Sequence, residues 1–169
     1  RGGGQKDFYT GPLDPATGLT DVSVCSDWDV FFTVHGADIL SSIAAFDVAQ
    51  AEGVPFNCDT LSDEILAWPA RGNPNFPSAK YDFELPDTGQ GLASFWDQDS
   101  TGTYDPCMGD FPIIDIRGCE PLTRDEAKEL VPDQMIFWIY NDAGDVHSLS
   151  QGAALNMESS SSSFCLCNQ

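Results

Sequence analysis

The stretch MIFWIYNDAGDVHSLS, residues 135–150, carries the strongest secondary-structure signal in the chain. Met135 to Tyr140 is an unbroken run of β-branched, aromatic and other large apolar residues, which suits a pleated strand. Asn141 to Gly144 supplies turn residues, and Asp145 to Ser150 reads as a returning strand, so the segment predicts a hairpin. On a strand with alternating burial, half of the rings of Phe137, Trp138 and Tyr140 belong to the core.

Working outward, WDVFFTVH (residues 28–35) reads as a second strand. Residues 37–53 place apolar side chains at Ile39, Leu40, Ile43, Phe46 and Val48, a partial helical period that stops at Gly53. Thr60 and Asp63 stand in capping-box spacing before a short helix that Pro69 must end. Thr123 with Glu126 marks another short helix. The expected fold is mainly β, sandwich-like, with two or three short helices and long loops. Residues 1–24, punctuated by Gly and Pro, read as an irregular leader suited to docking on a neighbouring copy, and residues 25–169 as one β-rich domain that belongs to a longer chain. Ser159–Ser163 reads as a spacer by composition, although the Phe164–Cys167 segment after it has strand character.

With 27 Asp+Glu against 7 Lys+Arg the net charge is −20, so the chain offers no basic patch for nucleic acid or an anionic membrane surface. No apolar run is long enough to span a bilayer. Four of the acids, Asp97, Asp99, Asp105 and Asp110, fall in FWDQDSTGTYDPCMGDFP, residues 95–112, which has no Lys or Arg. Aligned from Asp97, its residues fall at positions 1, 3, 5, 7 and 9 of a calcium loop, with Gly102 at the sharp-turn position 6. Asp97, Asp99 and Thr101 offer side-chain oxygens, Thr103 a backbone carbonyl and Asp105 a carboxylate. Position 12 is Met108 rather than Glu, so Asp110 is the candidate for the missing acid, and the loop is not an EF-hand. The plainer reading is a solvated acidic turn, because Asp, Gly, Ser and Thr are all turn residues.

The six cysteines, Cys25, Cys58, Cys107, Cys119, Cys165 and Cys167, contain no CxxC pair and share the chain with only two His, which disfavours zinc and favours disulfides in an oxidising compartment. Fifteen pairings are open to six cysteines. Cys107 and Cys119 flank the second half of the acidic loop and are expected to bond, with Cys25–Cys58 as the next pairing.

ILAWPARGNP (65–74), the 95–119 segment, DQMIFWIYNDAGDVHS (133–148) and ALNME (154–158) together resemble, in order, large surface proteins of Bacteroidetes that look like type IX secretion cargo. The resemblance covers roughly residues 60–167. It implies a secreted, cell-surface, calcium-binding module with no activity attached. Two departures stand out: Thr101 where the family usually has Asp, and a serine run where its last strand alternates aliphatic and polar residues.

Catalytic readings are weaker. The acid pairs Asp63/Glu64, Asp125/Glu126 and Asp142/Asp145 are what 27 acids in 169 residues give by chance, and sequence neighbours do not show the separation across a cleft that a glycosidase needs. His35 and His147 have no Gly-x-Ser-x-Gly nucleophile beside them, and His147 reads as a hydrogen-bonding strand-edge residue. Phe95, Trp96, Phe137, Trp138 and Tyr140 are candidates for stacking on a glycan. The expected function is a non-enzymatic, extracellular, calcium-binding structural or adhesive module, a filament subunit partnered by its own copies or by other surface proteins. The alternatives are a carbohydrate-binding or carbohydrate-cleaving domain, or a scaffold domain of a larger secreted enzyme.

Overall fold

A computed structural model describes residues 4–86, 92–114 and 121–165. In chain order the elements are β1 (Tyr9–Thr10), α1 (Val22–Asp27), β2 (Phe32–His35), α2 (Gly36–Glu52), α3 (Asp63–Leu66), α4 (Phe76–Ala79), β3 (Phe95–Trp96), β4 (Phe111–Pro112), α5 (Arg124–Glu129), β5 (Gln134–Asn141) and β6 (Glu158–Cys165). More of the described residues are helical than extended, so the expectation of a mainly β, sandwich-like fold is corrected to a mixed one. The cause is α2, a single 17-residue helix that begins at Gly36 and ends at Gly53 in the left-handed conformation.

β5 is the axis of a four-stranded antiparallel sheet, with β6 along one edge and β1 and β2 end to end along the other. Its burial alternates strictly: Met135, Phe137, Ile139 and Asn141 face the core, while Gln134, Ile136, Trp138 and Tyr140 face outward. The hairpin expected after residue 141 does not form. Asp145–Ser150 is irregular, and the strand beside β5 is the serine run, registered Asn141 to Glu158 through Gln134 to Cys165.

The inner face of the sheet meets Ile39 and Ile43 of α2 and a ring cluster of Trp28, Phe32, Phe76, Tyr81 and Phe83. At the β2–α2 junction a Cβ on Gly36 would lie 1.9 Å from the carbonyl oxygen of Pro132, so only glycine lets α2 start this close to the entry of β5. Asp47 of α2 pairs with Arg124 and Lys128, which seats α5 across that helix. The capping box of Thr123 and Glu126 forms as expected. At α3 the cap is Ser62, not Thr60.

Part of the leader packs within its own chain. Tyr9 and Thr10 pair with Asn141 and Tyr140, the Gly11 amide donates to the Ile139 carbonyl at 3.0 Å, and Tyr9 and Leu13 are buried. The edge of β5 beyond the end of β2 is a template within the same chain, and Tyr9 and Thr10 fill it.

Cysteine pairing also departs from expectation. Cys58 and Cys107 are bonded, with Cα atoms 5.3 Å apart, which replaces both Cys107–Cys119 and Cys25–Cys58. Folding brings the turn before α3 against the acidic loop, a proximity invisible in sequence spacing. Cys119 and Cys167 lie outside the described residues.

Candidate cation site

The acidic loop hangs from the core on buried anchors. Tyr104 is fully buried; its hydroxyl donates to the Ile65 carbonyl at 2.9 Å and its amide to the Arg71 carbonyl at 2.8 Å. Asn73 donates through its side-chain amide to the carbonyls of Leu66 and Trp68, both at 2.8 Å, and Trp68 Nε1 donates to the Ser94 carbonyl at 3.1 Å. The WPARGN segment is thus the floor on which the loop rests.

Within the loop, β3 and β4 form a two-residue ladder that closes its base. Asp97 accepts the amides of Thr101 (3.1 Å) and Gly102 (2.7 Å), folding residues 97–102 into a tight turn. Gly102 has φ +75°, the conformation that position 6 of the sequence register demands. Asp110, only 3% exposed, accepts the Gln98 amide at 2.7 Å through one oxygen and the Asp105 amide at 2.8 Å through the other. It therefore staples the two limbs together.

These bonds bring Asp97, Asp99 and Asp110 into one group in which one carboxylate oxygen from each lies within 4.8 Å of the others. Among the described residues no Lys or Arg forms an ion pair with any of the three. Burial pushes Asp110 up to about 6; the Asp105 and Gln98 amides pull it back, and the charges of Asp97 and Asp99 push it further up. The other candidates diverge. Asp105 turns its carboxylate to the Cys107 amide at 3.0 Å, capping a short 3₁₀ turn, so it stands outside the cluster. Thr101 directs its hydroxyl to the Thr103 carbonyl at 3.2 Å, within the turn. Each carboxylate oxygen of Asp97 and Asp110 keeps a second lone pair beyond its amide bond. The donor set is all oxygen and rich in charge, which fits a hard cation such as calcium.

Asp110 gives a measurable pH dependence. Its folded value of about 6 lies above the ordinary 3.8, so folding favours the protonated acid. The penalty for ionising it is absent below about pH 4 and complete above about pH 7, on the order of 3 kcal/mol. In chelator, stability is expected to rise as pH falls from 7 to 5, and Asp110→Asn should flatten that rise. Parallel pH profiles for wild type and variant would refute this origin.

Sequence reasoning missed Asp142. It is 4% exposed, not a solvated surface acid, and accepts the amides of Leu155 and Met157, both at 2.7 Å. Burial works against its ionisation, but those amides and the nearby His147 outweigh it and hold the acid below its ordinary range. Its sequence signals, a place in the predicted turn Asn141–Gly144 and in the pair with Asp145, did not mark it as buried. His147 is not on a strand edge; its Nε2 lies 2.6 Å from the Asp142 carbonyl oxygen within the loop.

The five candidate stacking rings do not gather on one surface. Phe137 is buried core, Phe95 meets Tyr104 edge-on, and Trp96 stacks on Phe111. Trp138 and Tyr140 remain on the outer face of β5, touched edge-on by Phe31 and Phe8. Phe8 and Tyr140 also line a groove of about 810 Å³ with His147, Leu155, Met157 and Glu158.

No family model, curated protein or solved structure matches the chain.

Proposed function

We propose that this is a non-enzymatic, calcium-stabilised structural module of a secreted surface protein. The observation that carries the calcium reading is the cluster of Asp97, Asp99 and buried Asp110, none of which forms an ion pair with a described Lys or Arg. Three carboxylates so placed repel at neutral pH, and a divalent cation offsets that repulsion where a proton otherwise must. Asp97, Asp99 and Asp110 would hold the ion. When bound, the ion would offset the repulsion among these carboxylates and so reinforce the hold that Asp110 has on the two limbs. The extracellular assignment rests on the resemblance in ordered motifs and on the Cys58–Cys107 disulfide, a bond that persists in oxidising compartments.

Asp99 is the cleanest probe, because it is exposed and none of the loop's hydrogen bonds described above uses its carboxylate. A cation at a hundred-fold excess over Kd adds about 2.7 kcal/mol, roughly 5–10 °C in melting temperature for a domain of this size. Wild type is expected to gain that much in calcium over chelator, and Asp99→Asn to lose most of the gain while melting no lower in chelator. Equal melting of wild type in both conditions would sink the calcium reading.

A second reading, glycan binding, draws on the outer-face rings of Trp138 and Tyr140 beside the groove. Its test is tryptophan fluorescence during titration with neutral oligosaccharides, where a saturable change lost in Trp138→Ala would favour it.

A further inference from the structure

The outer edge of β6 goes beyond the calcium reading and is independent of it. Among the described residues β5 is the strand paired with β6, and the eight-residue register from Asn141–Glu158 to Gln134–Cys165 runs without a bulge. The bond from the Asp142 amide to the Met157 carbonyl, at 3.1 Å, extends that register and fixes its phase. Backbone groups of Ser159, Ser161, Ser163 and Cys165 therefore turn toward β5, and those of Glu158, Ser160, Ser162 and Phe164 turn away from it. Natural sheets blunt such an edge with Lys, Pro, bulges or a covering element. This strand has no Lys or Pro, and Ser160, Ser162 and Phe164 are exposed.

We propose that β6 pairs antiparallel with β6 of a second copy of this chain, joining two sheets across a dyad. The charge pattern selects that occupant. The chain carries −20, which opposes self-association in general, yet β6 holds a single charge, Glu158, at one end. In a continuous sheet inner-face residues must meet inner-face residues. Centring the dyad on Ser161 sets Ser160 against Ser162 and Glu158 against Phe164 of the other copy. The two Glu158 carboxylates are then at opposite ends of the joint, and half-exposed Phe164 gains cover. The outward groups of the two strands supply about eight hydrogen bonds, and serine side chains on both sides leave room for close approach. An isologous contact of this kind closes as a dimer.

Sedimentation equilibrium of the full chain, in calcium and in chelator, tests this. Wild type is expected to dimerise, more tightly as salt screens the net charge. Ser162→Ala keeps the amide and should still dimerise. Ser162→Pro removes an outward N–H while Ser161 stays extended, as a residue before proline prefers, and should raise the dimer dissociation constant at least about tenfold with an unchanged melting transition. Should Ser162→Pro fold poorly, hydrogen exchange on wild type decides instead: the Ser160, Ser162 and Phe164 amides should be protected when concentrated and exchange fast on dilution. A wild-type chain that stays monomeric in high salt, a Ser162→Pro chain that dimerises like wild type, or outward amides indifferent to concentration would each overturn the proposal. A monomer that still responds to calcium would leave the cation site standing.

Discussion

Replacing Cys58 and Cys107 together by serine is expected to cost about 4 kcal/mol of unfolding free energy, from the chain-entropy estimate for a closed loop of this length. The bond spans 49 positions of sequence. The segment it closes contains α3, the WPARGN floor, α4 and most of the acidic loop, and few of its described residues lie in long regular elements. Once that stretch unfolds its chain is otherwise unrestrained, so the crosslink removes much of its unfolded-state freedom. Denaturant unfolding should show the variant's midpoint shifted down with an altered slope, because its denatured state is more expanded. Calcium affinity should weaken in parallel, since the limb ending at Cys107 sits next to Asp105 and Asp110. A cost below about 1 kcal/mol would show that the native contacts of the loop, rather than the crosslink, restrain it.

What the sequence made legible, and what it hid, separates along one physical line. β5 was readable because its own alternation of large side chains records a sheet buried on one face. The α2 stop at Gly53 and the Thr123–Glu126 box were readable because both signals are local. Three features were not. β6 consists largely of serine, which has no strand preference, and it is extended because β5 offers it a register. The hairpin expected at Asn141–Gly144 failed for a related reason: Asp142 spends its carboxylate on Leu155 and Met157, sending the chain through an irregular excursion before it returns. The Cys58–Cys107 pairing and the docking of Tyr9 on β5 depend on which distant segments fold together, and spacing carries no record of that. The acidic loop lies between these cases. Its register placed Gly102 in the required conformation and brought Asp97, Asp99 and Asp110 together. It misplaced Asp105, because a carboxylate two residues before an available amide caps its own turn.

Tyr104→Ala should be as damaging as loss of the disulfide, at about 3–5 kcal/mol, and it links the core to the cation site. The ring is fully buried, meets Phe95 edge-on at 5.4 Å between centroids, and sits one residue before Asp105. Removing it leaves a cavity under the loop that its neighbours cannot readily fill, because the backbone there is held by the Arg71 carbonyl and by Asp110. The hydroxyl is the smaller part of the effect. Its acceptor, the Ile65 carbonyl, also receives the Trp68 amide at 3.3 Å, so Tyr104→Phe does not orphan that oxygen and should cost only about 1 kcal/mol. The two variants should also separate in calcium. Tyr104→Phe keeps the ring that positions the loop and should retain the calcium-dependent rise in melting temperature. Tyr104→Ala should lose most of it, because Asp110 can gather the carboxylates only while both limbs are seated on the core. If Tyr104→Ala kept the full calcium response despite its lower stability, the cluster would be organised by the loop alone, and the WPARGN floor would have no part in holding the ion.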